Sequence, residues 1–337
     1  MRTVTKEEYS ILAAAAYTKY KNELIEVLPP GWRRLFQSTE NFPNGFAYSV
    51  FVKSEQGKTD ELVISFAGTD GLDDVDDWFA AAGVFSEQIY LAFKVTLSIL
   101  RDPLNAGKNV SFTGHSLGGG LASLMSVWFN RASTIFDAAP FQAAAFNISD
   151  YMTRYWRENI YDWEQANSRG LAAVLPAGLA EFYQSALSGR EAMTSLFLQR
   201  EQAVSHIFVQ GEALQWVRQE TSAIAALPSS PPWLALLAAA PRSTIENANL
   251  RTMIDLGSSE GPVDMHSMRL LALALNSDKL KEVIRTTPWV LPKLLESGRS
   301  LSTADATVTS AQFMTRLLNL HSANRIPARS ILDKFAD

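Results

Sequence analysis

The residue with the clearest capacity for chemistry is a serine in a glycine-rich turn. Gly114-His115-Ser116-Leu117-Gly118 has the G-x-S-x-G spacing of a nucleophile elbow, a strained strand-to-helix turn that exposes the serine hydroxyl. The two glycines let the adjoining strand and helix approach each other without a clashing side chain. A phosphate-binding loop is excluded because no Gly-Lys-Ser/Thr follows, and a spectator serine is the remaining alternative. We predict that Ser116 is a nucleophile.

A serine nucleophile needs a general base, and the chain contains 4 histidines. His115 lies inside the elbow, with its side chain expected to point away from the direction of attack. His206 begins a predicted strand, so it should lie at the opposite end of the sheet from Ser116. His321 lies near the end of a helical stretch, where a histidine suits the helix dipole. His266 lies in a loop after the last predicted strand, as the chain order Ser–acid–His requires, and we predict that it is the base.

An acidic residue must orient the imidazole, and three candidates precede or adjoin the histidine. Glu212 follows a predicted strand that ends at residue 210, which places it on the same sheet edge as Ser116. Asp255 ends a second apolar stretch, and Asp264 is only two residues from His266, too close to orient its ring. Glu212 is the leading candidate and Asp255 is the alternative.

Acyl transfer also requires donors for the developing oxyanion. The backbone N–H of Leu117, directly after the nucleophile, supplies one of them. The second donor should come from the loop after another central strand, and the segment 66–70 is the best candidate. Within it, Thr69 offers both a backbone N–H and a hydroxyl.

Short apolar strands and amphipathic helices alternate along the segments that must position these residues. The pattern predicts strands over 46–52, 61–66, 109–113, 134–138 and 205–210, with helices beginning near Thr5, Ser86 and Leu117. Residues 61–66 are apolar on both faces, as in a central strand covered on both sides. The alternation favours a three-layer α/β fold with a mostly parallel central sheet.

The remaining sequence is predicted to embellish one catalytic core. We expect a catalytic domain over residues 1–276, helical insertions at about 149–203 and 213–248, and a helical C-terminal extension over 277–337 packed on the core. The second insertion contains an apolar run after two prolines. This run either forms a lid that contacts substrate or is buried against the core, and it comprises Trp233, Leu234, Leu236 and Leu237.

Composition excludes several classes of function. The 337 residues include no cysteine, which rules out disulfide frameworks, thiolate metal sites and cysteine nucleophiles. A net charge of −5 gives no general attraction to nucleic acid. Five aspartates lie between residues 70 and 77, but their spacing fits no calcium loop and favours a solvated acidic loop. No Sec signal or transmembrane segment is evident, so we expect synthesis as a soluble cytoplasmic protein, with any export following a signal-independent route.

Five segments together resemble the class 3 lipase family. The match covers roughly residues 5 to 145 and resumes around 205 to 270, with the elbow and the oxyanion segment as its most specific pair. The segments are Val63–Thr69, Asp77-Trp78, Gly114–Gly119, Phe136–Pro140 and Asp264–Ser267.

This resemblance implies an α/β-hydrolase that cleaves carboxylic esters of lipids, phospholipids or acylglycerols, at a membrane or micelle surface. It assigns catalysis to Ser116 and His266 and the oxyanion donors to Thr69 and Leu117, with no metal or organic cofactor. Ala67 stands where the family usually has arginine, and the acid is a glutamate where aspartate is usual. The alternatives are a hydrolase of short-chain esters, thioesters or polyesters and, from another class, a catalytically silent module that binds a membrane or protein partner.

Overall fold

One sheet of seven strands organises the described part of the chain. The structure, a computed structural model, describes residues 4–17, 28–38, 45–55, 58–68, 86–212, 214, 251–254 and 266–276. The first three strands are antiparallel, and β3 to β7 run parallel. In spatial order, which is also chain order, they are β1 (Trp32–Gln37), β2 (Tyr48–Glu55), β3 (Lys58–Phe66), β4 (Asn109–His115), β5 (Ser133–Phe136), β6 (Val204–Val209) and β7 (Arg251–Ile254). The predicted α/β class with a mostly parallel sheet is confirmed.

Helices precede, connect and follow these strands. The first begins near Thr5, as predicted, with a capping box in which the Thr5 hydroxyl accepts the Glu8 N–H and the Glu8 carboxylate accepts the Thr5 N–H. None of the described helices combines the length and apolar character needed to cross a bilayer. They are α1 (Lys6–Ala15), α2 (Glu87–Arg101), α3 (Leu117–Phe129), α4 (Gln142–Ala145), α5 (Ile148–Glu158), α6 (Ile160–Arg169), α7 (Ala177–Ser188), α8 (Arg190–Glu201) and α9 (Met268–Asn276).

Side chains alternate along the strands and supply an apolar core on each face of the sheet. On β3, Leu62 and Ile64 pack with α2, α3 and the helices after β5, whereas Val63 between them packs with α1 and α9. On β5, Ile135 lies in the same core as Leu62 and Ile64, and Phe136 lies in the same core as Val63. The sheet is therefore covered by helices on both faces, which explains why its central strands are apolar throughout.

An edge strand is the main element that the sequence pattern does not predict. Residues 32–37 follow Pro29-Pro30-Gly31 and form β1, which pairs with β2 through an irregular register near Arg34 and Phe36. Leu35 and Phe36 are exposed. Apolar and charged residues thus occupy both faces of this edge strand, so the period of two that identifies a half-buried strand is missing.

The predicted insertion at about 149–203 coincides with four helices between β5 and β6, α5 to α8. A buried arginine connects them to the helix that follows Ser116. Arg200 Nη1 donates to the carbonyl oxygens of Val127 at 3.0 Å, Trp128 at 3.2 Å and Gly178 at 2.8 Å. The helical segment is thereby fixed to the C-terminal end of α3. The predicted insertion at 213–248, apart from Leu214, and the extension 277–337 lie outside the described residues.

Candidate active site

Ser116 occupies a strained turn between β4 and α3. Its backbone angles, φ 60° and ψ −128°, lie in a region that residues with a Cβ rarely adopt. The turn leaves no room for side chains at its flanks, because a Cβ at Gly118 would overlap the Phe66 carbonyl oxygen and one at Gly114 would overlap the Gly118 backbone. The motif therefore has the local geometry that its spacing predicted.

The backbone of the serine is held by the end of the neighbouring strand. The Ser116 N–H donates to the Phe136 carbonyl oxygen at 3.0 Å, and the Ala139 N–H donates to the Ser116 carbonyl oxygen at 2.9 Å. These two bonds join the turn after β4 to the loop after β5. The serine side chain is buried with only 1% of the residue exposed, so its hydroxyl lies inside the site rather than in bulk water.

A hydrogen-bonded chain connects the serine, the histidine and the glutamate. His266 Nε2 lies 3.0 Å from Ser116 Oγ, and His266 Nδ1 lies 2.7 Å from Glu212 Oε2. Since a carboxylate only accepts, Nδ1 carries the hydrogen and Nε2 is left to accept the serine proton. The arrangement is that of a nucleophile, a general base and an orienting acid.

Glu212 reaches this chain from the turn after β6. Gly211, with φ 82°, reverses the backbone, and the Glu212 carboxylate is wholly buried. The same Oε2 atom accepts the Leu214 N–H at 2.7 Å, so a backbone donor fixes the carboxylate in place. The structure thus brings the leading acid candidate to His266, while the alternative, Asp255, lies outside the described residues.

Part of the predicted oxyanion site is visible beside the serine. Leu117 is the first residue of α3, where backbone N–H groups have no partner within the helix and favour negative charge. Gly68 lies two residues after the end of β3, where a Cβ would be 3.0 Å from the Ser116 Cβ. Thr69 itself and the apolar residues Trp233, Leu234, Leu236 and Leu237 lie outside the described residues.

His115 has a contact that the sequence did not indicate. Its Nε2 lies 2.8 Å from the His266 carbonyl oxygen, and its Nδ1 lies 2.6 Å from the hydroxyl of Tyr17. Burial and the nearby His266 hold the pKa of His115 well below its usual value of 6.5. Tyr17 was not singled out in the sequence, because only the packing of α1 brings it to the elbow.

The remaining described histidine, His206, bonds the backbone of a neighbouring loop. His206 is buried inside β6, beside Ile135 of β5, and its Nε2 accepts the Ala138 N–H at 3.2 Å. The prediction that it lies at the opposite end of the sheet from Ser116 is wrong, because its ring reaches the loop after β5 that also bonds the Ser116 backbone. Asp137 follows β5 with φ 40°, and its Oδ1 accepts the Val209 N–H at 2.9 Å. Both side chains connect the ends of β5 and β6, which supports the loops next to Ser116 and Glu212.

One trio in the described part of the chain brings potential metal ligands together, with ligand atoms within 4.8 Å of one another. It consists of His115, Asp137 and His266. Both ring nitrogens of each histidine already have hydrogen-bond partners, as described above. A metal ion at this trio would have to displace these contacts of the two histidines.

Comparisons with known proteins give a family match for the N-terminal part of the chain, which contains Ser116. Residues 8–152 match the family model of a Tle-like phospholipase domain, a segment that contains Ser116 but neither Glu212 nor His266. Curated protein sequences give no match. Among solved structures, the crystal structure of M37 lipase aligns over 86% of this chain and 90% of that chain, at 12% identity and a TM-score of 0.34. The family match supports a lipase- or phospholipase-like relationship, which is broader than the class 3 lipase family that the motifs resemble.

Proposed function

We propose that this protein is a serine carboxylic-ester hydrolase of the α/β-hydrolase type that acts on lipid esters. The observation that carries the proposal is the buried hydrogen-bonded chain from Ser116 through His266 to Glu212. The strained backbone of the serine and its place before a helix N-terminus add support, because both belong to the chemistry of a nucleophile elbow.

In the proposed reaction, Ser116 Oγ attacks the ester carbonyl carbon while His266 Nε2 takes the hydroxyl proton. The tetrahedral oxyanion is stabilised by the backbone N–H of Leu117 and by Thr69. Collapse breaks the carbon–oxygen bond, and His266 returns the proton to the departing alcohol, which leaves an acyl-serine. Water, deprotonated by the same histidine, then attacks the acyl-serine and releases the carboxylic acid.

The proposed substrate is a phospholipid or an acylglycerol at a membrane or micelle surface. The match of residues 8–152 to a Tle-like phospholipase domain supports the phospholipid class first. The apolar run at Trp233, Leu234, Leu236 and Leu237 is proposed as the segment that meets acyl chains.

Labelling with a fluorophosphonate probe tests the nucleophile and its base together. We expect one adduct on wild-type protein, located on the Ser116 peptide by mass spectrometry, and none on Ser116→Ala or His266→Ala. Ser123→Ala is the matched control, because Ser123 lies on α3 and its buried hydroxyl donates to the Gly119 carbonyl oxygen at 2.8 Å. An unlabelled wild type, with detergent or lipid present, would contradict the proposal and favour a silent binding module.

A substrate series tests the lipid assignment. Vesicles of phospholipid, emulsions of triacylglycerol and soluble short-chain esters are compared at matched ester concentration. We expect phospholipid hydrolysis, with a rate that rises once the substrate exceeds its solubility limit. Saturation on soluble esters alone would instead identify a short-chain ester, thioester or polyester hydrolase.

A further inference from the structure

We propose that Tyr17 and His115 act as a positioning pair that holds the backbone of the base, a role that rests on the proposed hydrolase function. Tyr17 lies two residues beyond the end of α1, His115 directly precedes the nucleophile, and His266 precedes α9. The pair therefore joins three separate parts of the chain at one point beside Ser116.

Two hydrogen bonds in series form this connection. The Tyr17 hydroxyl lies 2.6 Å from His115 Nδ1, and His115 Nε2 lies 2.8 Å from the His266 carbonyl oxygen. A carbonyl oxygen only accepts, so His115 Nε2 must carry the hydrogen. In a neutral ring Nδ1 is then the acceptor, which the Tyr17 O–H satisfies. One tautomer thus serves both contacts: the His266 carbonyl oxygen selects it, and the Tyr17 O–H satisfies the remaining ring nitrogen.

The surroundings keep that tautomer neutral. Tyr17 is 1% exposed and His115 is 3% exposed, so water cannot replace either bond. Burial and the adjacent His266 both lower the pKa of His115. Among the described residues, the one anionic group paired with His115 is the Asp137 carboxylate, 3.9 Å from His115 Nε2. A neutral His115 adds no charge that would oppose the imidazolium formed on His266 during acyl transfer.

His115 also contacts the base through its ring. The centroids of the His115 and His266 rings are 4.7 Å apart, with the planes inclined at 40°. The backbone bond and the ring contact together set where His266 Nε2 meets Ser116 Oγ. His115 and Ser116 are adjacent on one strained turn. The residue that contacts the base is therefore bonded covalently to the nucleophile.

Tyr17 has a second neighbour in the site. A Cβ on Gly68 would lie 2.6 Å from the Tyr17 hydroxyl oxygen and 2.8 Å from the His115 carbonyl oxygen. Tyr17 therefore also lies against the residue that precedes the predicted oxyanion donor Thr69. The packing of α1 therefore contributes to the site as well as to the core, because it places Tyr17 beside Gly68.

Tyr17→Phe tests the pair, with Tyr9→Phe as the matched control. Tyr9 lies on α1, ahead of Tyr17 in the chain, is buried, and donates its hydroxyl hydrogen to Ser111 Oγ at 2.8 Å, away from the elbow. Both variants lose one buried hydroxyl bond, so we expect similar melting temperatures. We expect kcat and the fluorophosphonate labelling rate to fall about tenfold in Tyr17→Phe and less than about twofold in Tyr9→Phe, with KM unchanged in both. Equal rates in the two variants would overturn the proposal.

Variants of His115 provide a rescue. His115→Phe keeps a ring but removes the donor to the His266 carbonyl oxygen, whereas His115→Gln offers an amide N–H near the position of Nε2. We expect a loss of kcat of about thirtyfold in the first and a loss at least about threefold smaller in the second. An identical loss in both would show that packing alone matters, which contradicts the positioning role.

A substrate-free measurement separates this proposal from the proposed function. The proton on His266 Nδ1, shared with Glu212, should give a low-field NMR resonance, identified by its loss in Glu212→Gln. We expect the resonance to move or broaden in Tyr17→Phe and to stay in place in Tyr9→Phe. A wild type that neither labels nor hydrolyses ester would refute the hydrolase function while this resonance still decides the positioning. A resonance unchanged in Tyr17→Phe would refute the positioning even in an active enzyme.

Discussion

Glu212 Oε2 lies 2.7 Å from His266 Nδ1, although 54 residues separate the two in the chain. The same oxygen accepts the Leu214 N–H, so the glutamate is fixed by its own turn before it meets the histidine. The carboxylate therefore meets the imidazole from a turn after β6 in which a backbone N–H already holds it. A glutamate at this position is geometrically sufficient where aspartate is usual in the family that the motifs resemble.

Glu212→Gln should remove catalysis while leaving the fold intact. An amide at this position can donate its own hydrogen to Nδ1, which selects the tautomer that cannot accept the serine proton, and the expected fall in kcat is about 10³- to 10⁴-fold. Hydrolysis and labelling rates measure it. Glu61→Gln is the control, since Glu61 is buried at the opposite end of the sheet, where it accepts the Asn109 amide at 2.9 Å. Full activity in Glu212→Gln with loss in Asp255→Asn would transfer the role to Asp255.

Strain at Ser116 should appear as a difference between two inactive variants. Ser116→Gly relieves the backbone angles of φ 60° and ψ −128°, whereas Ser116→Ala keeps the Cβ that disfavours them. Strain of this kind costs about 1–3 kcal/mol, and the greater freedom of glycine in the unfolded chain offsets about 0.5–1 kcal/mol. We expect the glycine variant to have the higher free energy of unfolding by about 1 kcal/mol, measured by urea titration. An alanine variant of equal or greater stability would mean that the turn stores no strain.

The elbow glycines should differ sharply in their tolerance of alanine. A Cβ at Gly118 would overlap the Phe66 carbonyl oxygen, whereas a Cβ at Gly120 would lie 3.1 Å from the Ala139 carbonyl oxygen. Both residues lie in α3, so the gain in helix propensity is about the same, roughly 1 kcal/mol. We expect Gly118→Ala to destabilise the protein by about 3 kcal/mol and to abolish labelling. Gly120→Ala should change stability by less than about 1 kcal/mol, and similar losses in the two would contradict the packing argument.

Arg200→Met should loosen the helical segment between β5 and β6. The substitution leaves the carbonyl oxygens of Val127, Trp128 and Gly178 without their buried donor. We expect a loss of about 3 kcal/mol in the free energy of unfolding, because buried acceptors then lack hydrogen bonds. Arg190→Met, at the other end of α8, removes a surface arginine stacked over Phe146 and should cost less than about 1 kcal/mol. Losses of equal size would show that Arg200 contributes no more than a surface contact.

Local patterns were sufficient to predict much of the fold and which residues the structure brings together beside Ser116. The elbow is encoded by five adjacent residues, and the capping box at Thr5 by two residues three positions apart. Glu212 and His266 were accessible because parallel strands bring their carboxyl ends to one edge, where chain order then selects them. Each of these inferences needs only spacing and strand direction.

What the sequence did not reveal depends on contacts between distant segments. Tyr17 meets His115 only because α1 packs beneath the sheet, and no spacing within α1 predicts that contact. β1 lacks alternation because an edge strand with both faces partly exposed is under little pressure to alternate. The role of His115 was missed for a related reason, since its partner is a backbone carbonyl, which no residue type identifies.

Strand order equal to chain order gives the molecule a direction of assembly during synthesis. After β1, each strand emerging from the ribosome finds its neighbour already made, and Ser116 emerges 150 residues before His266. At typical elongation rates this interval lasts roughly 10–30 s. Until residues 266–276 have been made, Ser116 lacks His266, and α1 lacks the helix whose Asn276 amide donates to Ser10 Oγ. Under the proposed function, the nascent chain is therefore inert toward lipid esters until His266 has been made.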